Sequence, residues 1–121
     1  MLKVLYVDDE PINLQLFQLN FKKKYEVFTA LSGQEGLRSL ETYSDIKVVI
    51  SDMKMPEMNG IQFISKAKNI FPEITYFILT GYDINTEIAE ALESGLIHKY
   101  FSKPFNIKDI DYLMDNITII K

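Results

Sequence analysis

Four apolar runs in this chain stop abruptly on polar residues. Leu2-Lys3-Val4-Leu5-Tyr6-Val7 ends in Asp8-Asp9, and Val48-Val49-Ile50-Ser51 ends in Asp52. Tyr76-Phe77-Ile78-Leu79 ends in Thr80-Gly81, and Tyr100-Phe101-Ser102 ends in Lys103-Pro104. Short continuous runs rich in Val, Ile, Leu and aromatic residues fit strands buried on both faces, as parallel strands are. Tyr25–Thr29 reads as another strand, so the five strands fall at about 2–7, Tyr25–Thr29, Lys47–Ser51, Thr75–Leu79 and His98–Ser102. Segments of helical period separate them, at about 11–22, Gly33–Glu41, Asn59–Ile70, Asp83–Ser94 and Ile107–Ile117. Right-handed crossovers then place helices on both sides of a parallel sheet, so the pattern predicts a doubly wound, three-layer α/β domain. In an open parallel sheet the carboxyl ends of the strands share one edge, and ligands bind there. Three carboxylates, a hydroxyl and an amine from distant parts of the chain are therefore expected to meet in one cluster.

The punctuation agrees with that reading. Pro11 suits a first helical turn, Pro72 ends the third helix, and Gly95 stops the fourth, whose Ile84, Ile88, Ala91 and Leu92 share a face. Gly33 and Gly60 read as backbone-conformation residues at helix starts. The last helix has Ile107, Ile110, Leu113, Met114 and Ile117 as its apolar stripe. The first helix is apolar on two faces: Ile12, Leu16 and Leu19 form one stripe, and Leu14, Phe17 and Phe21 the other. One stripe is expected on the sheet, and the other on a neighbouring helix or toward a partner.

With 121 residues the expectation is one domain over 1–121, without repeat, linker or second domain. The chain has no cysteine, which excludes a disulfide framework, a thiolate zinc site and a thiol nucleophile. Net charge is −4 and the isoelectric point about 5.0, whereas nucleic-acid modules usually carry a basic stripe. The one basic run, Lys22-Lys23-Lys24, reads as a solvated helix C-terminus. His98, the only histidine, reads as a half-exposed residue at a strand start. No secretory signal or membrane-length apolar run is visible. The expected protein is a soluble cytoplasmic monomer with no direct nucleic-acid or membrane role.

Asp8, Asp9 and Asp52 at one edge raise an electrostatic problem. Two carboxylates about 5 Å apart repel by roughly 3 kcal/mol at an effective dielectric near 20. A hard divalent cation removes it: Mg²⁺ takes oxygen ligands and needs only a few carboxylates, and without a soft ligand nearby Mg²⁺ or Mn²⁺ is the sensible choice. Adjacent acidic residues also cap helices, and Asp9 or Glu10 alone would serve. A cap does not explain why Asp52, Thr80 and Lys103 arrive at the same edge.

At these residues the chain resembles the receiver domain of two-component response regulators. The matching elements are Val7-Asp8-Asp9-Glu10-Pro11, Ser51-Asp52-Met53-Lys54-Met55-Pro56-Glu57-Met58-Asn59-Gly60, Thr80-Gly81 and Tyr100-Phe101-Ser102-Lys103-Pro104-Phe105. They run from the first strand to the last helix, in order. The resemblance implies a flavodoxin-like sheet of strand order 2-1-3-4-5 with five helices. It implies Asp52 as phosphoacceptor, taking a phosphoryl group from a sensor histidine kinase or histidine phosphotransfer protein. Asp8, Asp9, Asp52 and the Lys54 backbone carbonyl would hold Mg²⁺. Thr80 and Lys103 would bind phosphoryl oxygens, Tyr100 would be the switch aromatic, and Lys103–Pro104 would be a cis peptide. In receivers the positions held here by Lys54 and Tyr82 flank the path of attacking water, so the resemblance implies slow loss of the phosphoryl group. Leu96-Ile97 after Gly95 departs from the commoner small residue there, without touching the site.

The implied function is a phosphorylation-dependent signalling switch or relay intermediate, not an enzyme beyond its own phosphotransfer and slow autodephosphorylation. It would act on an unknown downstream protein, with a phosphorylation-linked dimer as one form of output. Alternatives are a receiver cut from a longer hybrid kinase or output-domain regulator, and a phosphorylation-independent binding module. A haloacid-dehalogenase-type phosphatase would need an Asp at position 54, which is Lys. A flavodoxin-like cofactor protein would want a hydroxyl- and glycine-rich phosphate loop where Asp8-Asp9-Glu10 stands.

Overall fold

A computed structural model describes residues 1–81 and 84–120, without the side chains of 118–120. Strands and helices alternate throughout: β1 (Lys3–Val7), α1 (Pro11–Phe21), β2 (Glu26–Ala30), α2 (Gly33–Thr42), β3 (Ile46–Asp52), α3 (Gly60–Ile70), β4 (Thr75–Thr80), α4 (Thr86–Glu93), β5 (Lys99–Ser102) and α5 (Ile107–Ile120). The five strands form one sheet in the order β2-β1-β3-β4-β5, and all pair in parallel. This is the doubly wound architecture expected from the sequence, in the expected order.

Side chains alternate across a strand, and the two sheet faces build two cores. Leu5, Val7, Val49 and Ile78 pack with Leu40, Phe63, Ile64, Ala67, Ile88 and Ala91, which places α2, α3 and α4 on that side. Val4, Tyr6, Val48, Ile50, Phe77 and Leu79 pack with Leu14, Phe17, Phe21, Ile110, Met114 and Ile117, which places α1 and α5 on the other. The double-faced first helix is thereby settled. Leu14, Phe17 and Phe21 are buried, while Ile12, Leu16 and Leu19 are 59%, 46% and 65% exposed, so among the described residues no neighbouring helix covers that stripe.

Local chemistry explains the helix starts. Ser32 accepts a hydrogen bond from the Glu35 N–H, and Asn85 accepts one from the Ile88 N–H. Asn59 and Gln62 form a reciprocal capping box, which satisfies two otherwise orphaned donors. That makes Asn59 the cap rather than the first helical residue. The expected helix start at Asp83 lies outside the described residues, and α4 runs from Thr86.

Gly95 has φ +79° and follows α4 as a stop, a backbone state that glycine adopts without steric cost. Gly60 and Gly33 differ from expectation, because neither has positive φ. Both are close-approach positions. A Cβ on Gly60 would run into the Asp52 backbone carbonyl, and one on Gly33 would lie 2.6 Å from the Met58 sulfur.

A carboxylate and lysine cluster at the carboxyl edge of the sheet

Strand register decides which chain ends meet. Val7 pairs with Ser51, Asp52 with Leu79 and Thr80 with Ser102. The next residues of β1 and β5, Asp8 and Lys103, therefore emerge beside Asp52 and Thr80. One carboxylate oxygen each from Asp8, Asp9 and Asp52 lies within 4.8 Å of the others. Asp8 is fully buried, Asp52 and Thr80 are nearly so, and Asp9 is half-buried. The Lys103 ammonium is 3.0 Å from Asp52 Oδ1 and 3.6 Å from Asp8 Oδ2. The Lys103 N–H donates to the Thr80 carbonyl at 2.7 Å, which continues the β4–β5 pairing past the strand end. The Lys103–Pro104 peptide is cis.

Asp8 is the most heavily held group. Its Oδ2 accepts from the Tyr6 hydroxyl at 2.8 Å and from Asn13 Nδ2 at 3.2 Å, and its Oδ1 accepts from the Glu10 N–H at 3.0 Å. Glu10, the residue before α1, makes no side-chain cap. The acidic pair thus does not serve as a conventional N-cap; Asp8 orders the entry to α1 through a backbone amide. The Ser51 hydroxyl donates to the Asp52 carbonyl at 2.9 Å.

The electrostatics follow from burial. Desolvation pushes the Asp52 carboxyl above its usual pKa; the Lys103 hydrogen bond opposes this, and the Asp8 charge adds to it. For Lys103, burial disfavours the ammonium, but the hydrogen bond and charge of Asp52, then the charge of Asp8, outweigh it and raise its pKa. Burial, then the charge and hydrogen bond of Asp8, hold the Tyr6 phenol far above its usual value, so it stays a donor. Three carboxylates and one ammonium leave a formal charge of −2. Hard oxygen donors with that charge fit a divalent cation of the Mg²⁺ type.

Lys54, Met55, Pro56 and Gly81 complete the walls of an open pocket of about 640 Å³ that contains Asp9, Asp52, Thr80 and Lys103. Tyr100 pairs with Ile78, two residues before Thr80. It is half-buried, packs against the α2–α4 core, and lines a larger hollow of about 970 Å³ with Leu92, Lys103 and Tyr112. Tyr82 lies outside the described residues. His98 is exposed, with its ring edge-on to Phe77 at 5.6 Å.

Tyr6 and Asn13 were not among the residues that the sequence singled out. The signal for Tyr6 was one phenol among the aliphatic residues Val4, Leu5 and Val7, two residues before Asp8 and so on its face. Asn13 left less trace, since a polar residue in a first helical turn is ordinary.

The response regulator receiver domain family matches residues 4–115, and the chain belongs to it. Receiver domains are modules of two-component signalling. The chain is 35% identical to sporulation initiation phosphotransferase F of Bacillus subtilis (strain 168) over 109 residues, covering 89% of this chain and 86% of that protein. A receiver domain from Clostridium thermocellum superposes with a TM-score of 0.88 at 35% identity, covering 96% of this chain and 93% of that one. The response regulator TrrA of Thermotoga maritima, in complex with Mg(2+)-BeF, superposes with a TM-score of 0.81 at 26% identity, over 96% and 98% of the two chains. The chain spans about a quarter of the length of transcriptional regulators such as HoxA of Cupriavidus necator, at 23%, and GlrR of Escherichia coli, at 24%. Among the described residues, no helix is long and apolar enough to cross a membrane.

Proposed function

We propose that this chain is a phosphorylation-dependent switch in which Asp52 accepts a phosphoryl group from a histidine kinase or histidine phosphotransfer protein. The observation that carries the reading is the Lys103 ammonium 3.0 Å from a buried Asp52 carboxylate, inside a trio of aspartates. An Asp52 oxygen attacks phosphorus, the P–N bond of the donor phosphohistidine breaks, and the leaving imidazole regains a proton. Phosphoryl transfer is chiefly positioning and charge neutralisation, and a carboxylate is a competent nucleophile for an aspartyl phosphate.

Each residue has a task. β3 and the Gly60 contact fix the Asp52 backbone. Lys103 pairs with a phosphoryl oxygen, and the Thr80 hydroxyl donates to another. Asp8, Asp9, Asp52 and the Lys54 carbonyl are the proposed Mg²⁺ ligands, with Mn²⁺ as a substitute. When bound, the cation supplies charge neutralisation at the phosphoryl oxygens. The Mg(2+)-BeF complex of TrrA supports that assignment by analogy. The product adds about −1.5 to −2 charge. Drawing Thr80 toward it makes room for Tyr100 to turn inward, which alters the hollow bounded by Leu92, β5 and Tyr112. That surface is the proposed output face, toward a downstream protein or a second copy. The exposed Ile12, Leu16 and Leu19 stripe begins three residues after Asp9 and suits the phosphodonor. Lys54, on the wall of the pocket, shields the phosphoryl group and slows its hydrolysis. The location implied by these partners is the cytoplasm.

The quarter-length coverage of HoxA and GlrR supports a second reading, a receiver that operates within a longer regulator. The phosphoacceptor chemistry is the same in both.

Intact mass after incubation with Mg²⁺ and acetyl phosphate tests the proposal. The expected result is one added phosphoryl group, dependent on Mg²⁺ and absent in Asp52→Asn. An adduct that persists in that variant overturns the assignment of Asp52. Failure of the wild type both to bind Mg²⁺ and to gain mass supports a phosphorylation-independent binding module.

A further inference from the structure

Tyr6 stands in an apolar core that has no need of a hydroxyl. Its ring stacks on Phe17, with centroids 4.4 Å apart and planes 11° from parallel, and the residue is 1% exposed. Phenylalanine would fill the same space. The hydroxyl meets Asp8 Oδ2 at 2.8 Å, and packing of the ring prevents it from swinging elsewhere. That same oxygen has the Lys103 ammonium 3.6 Å away, beyond normal hydrogen-bond reach, while the ammonium holds Asp52 at 3.0 Å. Two aspartates thus compete for one lysine, and the neutral donors on Asp8 bias the contest.

We propose that Tyr6 is a positioning residue of the cation site: its hydroxyl satisfies Asp8 Oδ2, keeps Lys103 hydrogen-bonded to Asp52, and spares Asp8 a direct hydrogen bond from an ammonium that would compete with a divalent cation. This rests on the reading of the aspartate trio as a Mg²⁺ site. A buried carboxylate that loses a donor takes the nearest replacement, because leaving it unsatisfied is costly. Half-buried Asn13 already donates to Oδ2 from the first turn of α1, and Glu10 offers its N–H to Oδ1. The Lys103 ammonium is the charged donor within reach, and its charge makes it the stronger one. Without the Tyr6 hydroxyl it shifts onto Asp8. A positive charge then sits directly on Asp8, one of the proposed ligands, and disfavours the cation there.

The test is calorimetric titration of the unphosphorylated chain with Mg²⁺, alongside thermal unfolding in metal-free buffer. Tyr6→Phe is expected to raise the Mg²⁺ dissociation constant about tenfold, as loss of a hydrogen bond behind a metal ligand commonly does. Val4→Ala opens a cavity in the same core without touching a carboxylate; it should lower Tm yet leave Mg²⁺ affinity at the wild-type value. In a Lys103→Met background the effect of Tyr6→Phe should shrink to less than about twofold. A Tyr6→Phe chain that binds Mg²⁺ like the wild type overturns the inference, as does Val4→Ala weakening binding equally. A tenfold effect that survives without Lys103 overturns the route through the ammonium. A wild type that binds no Mg²⁺ fails at the earlier step and removes the cation site itself.

Discussion

Asp52 is asked to be ionised in a place that opposes ionisation. Its carboxyl pKa is raised, by burial first and then by Asp8, against the pull of Lys103. The folded chain therefore holds this proton more tightly than the unfolded chain does. Stability contributed by the site falls as pH rises from the ordinary aspartate value of about 3.9 through the raised one. Asparagine cannot ionise, so Asp52→Asn should match the wild type at the acid end of that window and become more stable above it. Thermal unfolding in metal-free buffer should show Tm curves that converge at low pH and separate toward neutrality, the variant lying higher. A variant that is less stable at neutral pH would mean that pairing with Lys103 outweighs desolvation. Residue-scale features were the least legible from sequence. Asp8, Asp52, Thr80 and Lys103 stood out because each interrupts an apolar run. Tyr6 did not, since at the scale of a strand pattern a phenol counts as core, and its hydroxyl acquires meaning only once Asp8 is seen two residues away on the same face. Gly60 was read as a conformational glycine because the approach of the Asp52 carbonyl is a tertiary fact.

At the scale of elements, the sequence was clearest where periodicity was strong. All five strands and five helices form where expected, with ends shifted by a few residues. The shifts have local causes, such as Asn59 spending its side chain on the capping box instead of entering α3. α1 was ambiguous because two apolar stripes fit a sheet equally well on paper. Phe17 and Phe21 resolve it: Tyr6, Tyr25 and Phe105 gather around those two rings, so the bulkier stripe turns inward. The leftover stripe gives a prediction. Leu16→Lys with Leu19→Lys should change folding stability by less than roughly 0.5 kcal/mol per site in urea titrations, since exposed positions contribute little. Phosphorylation by acetyl phosphate should be unaffected, while transfer from a phosphorylated donor protein should slow at least about tenfold, as loss of an apolar anchor pair does. Equal rates with both donors would place the docking surface elsewhere.

For the whole molecule, the fold and the site are one design. Parallel strands direct their carboxyl ends to a common edge, and the order β2-β1-β3-β4-β5 puts β1 and β3 together at the centre. The aspartates therefore hang from interior strands, each paired on both sides. Four strand ends converge on one charge cluster, so filling it should stabilise the entire chain. At Mg²⁺ a hundredfold above its dissociation constant the gain is about 2.7 kcal/mol, which for a domain of this size is a rise in Tm of roughly 10 °C. Differential scanning calorimetry with and without Mg²⁺ measures it, and the rise should be largely lost in Asp9→Ala.

β5 is four residues long and lies at the sheet's margin, bonded on one side to β4 alone. Proteins open in pieces, and margins open before centres. An excursion that peels β5 and α5 away removes Lys103 while β1 and β3 still hold Asp8 and Asp52 face to face. A chain opened in that way would keep its anionic centre and lack its own counter-charge. Such a species would attract cations more strongly than the closed chain, so opening at that edge and cation binding would be linked.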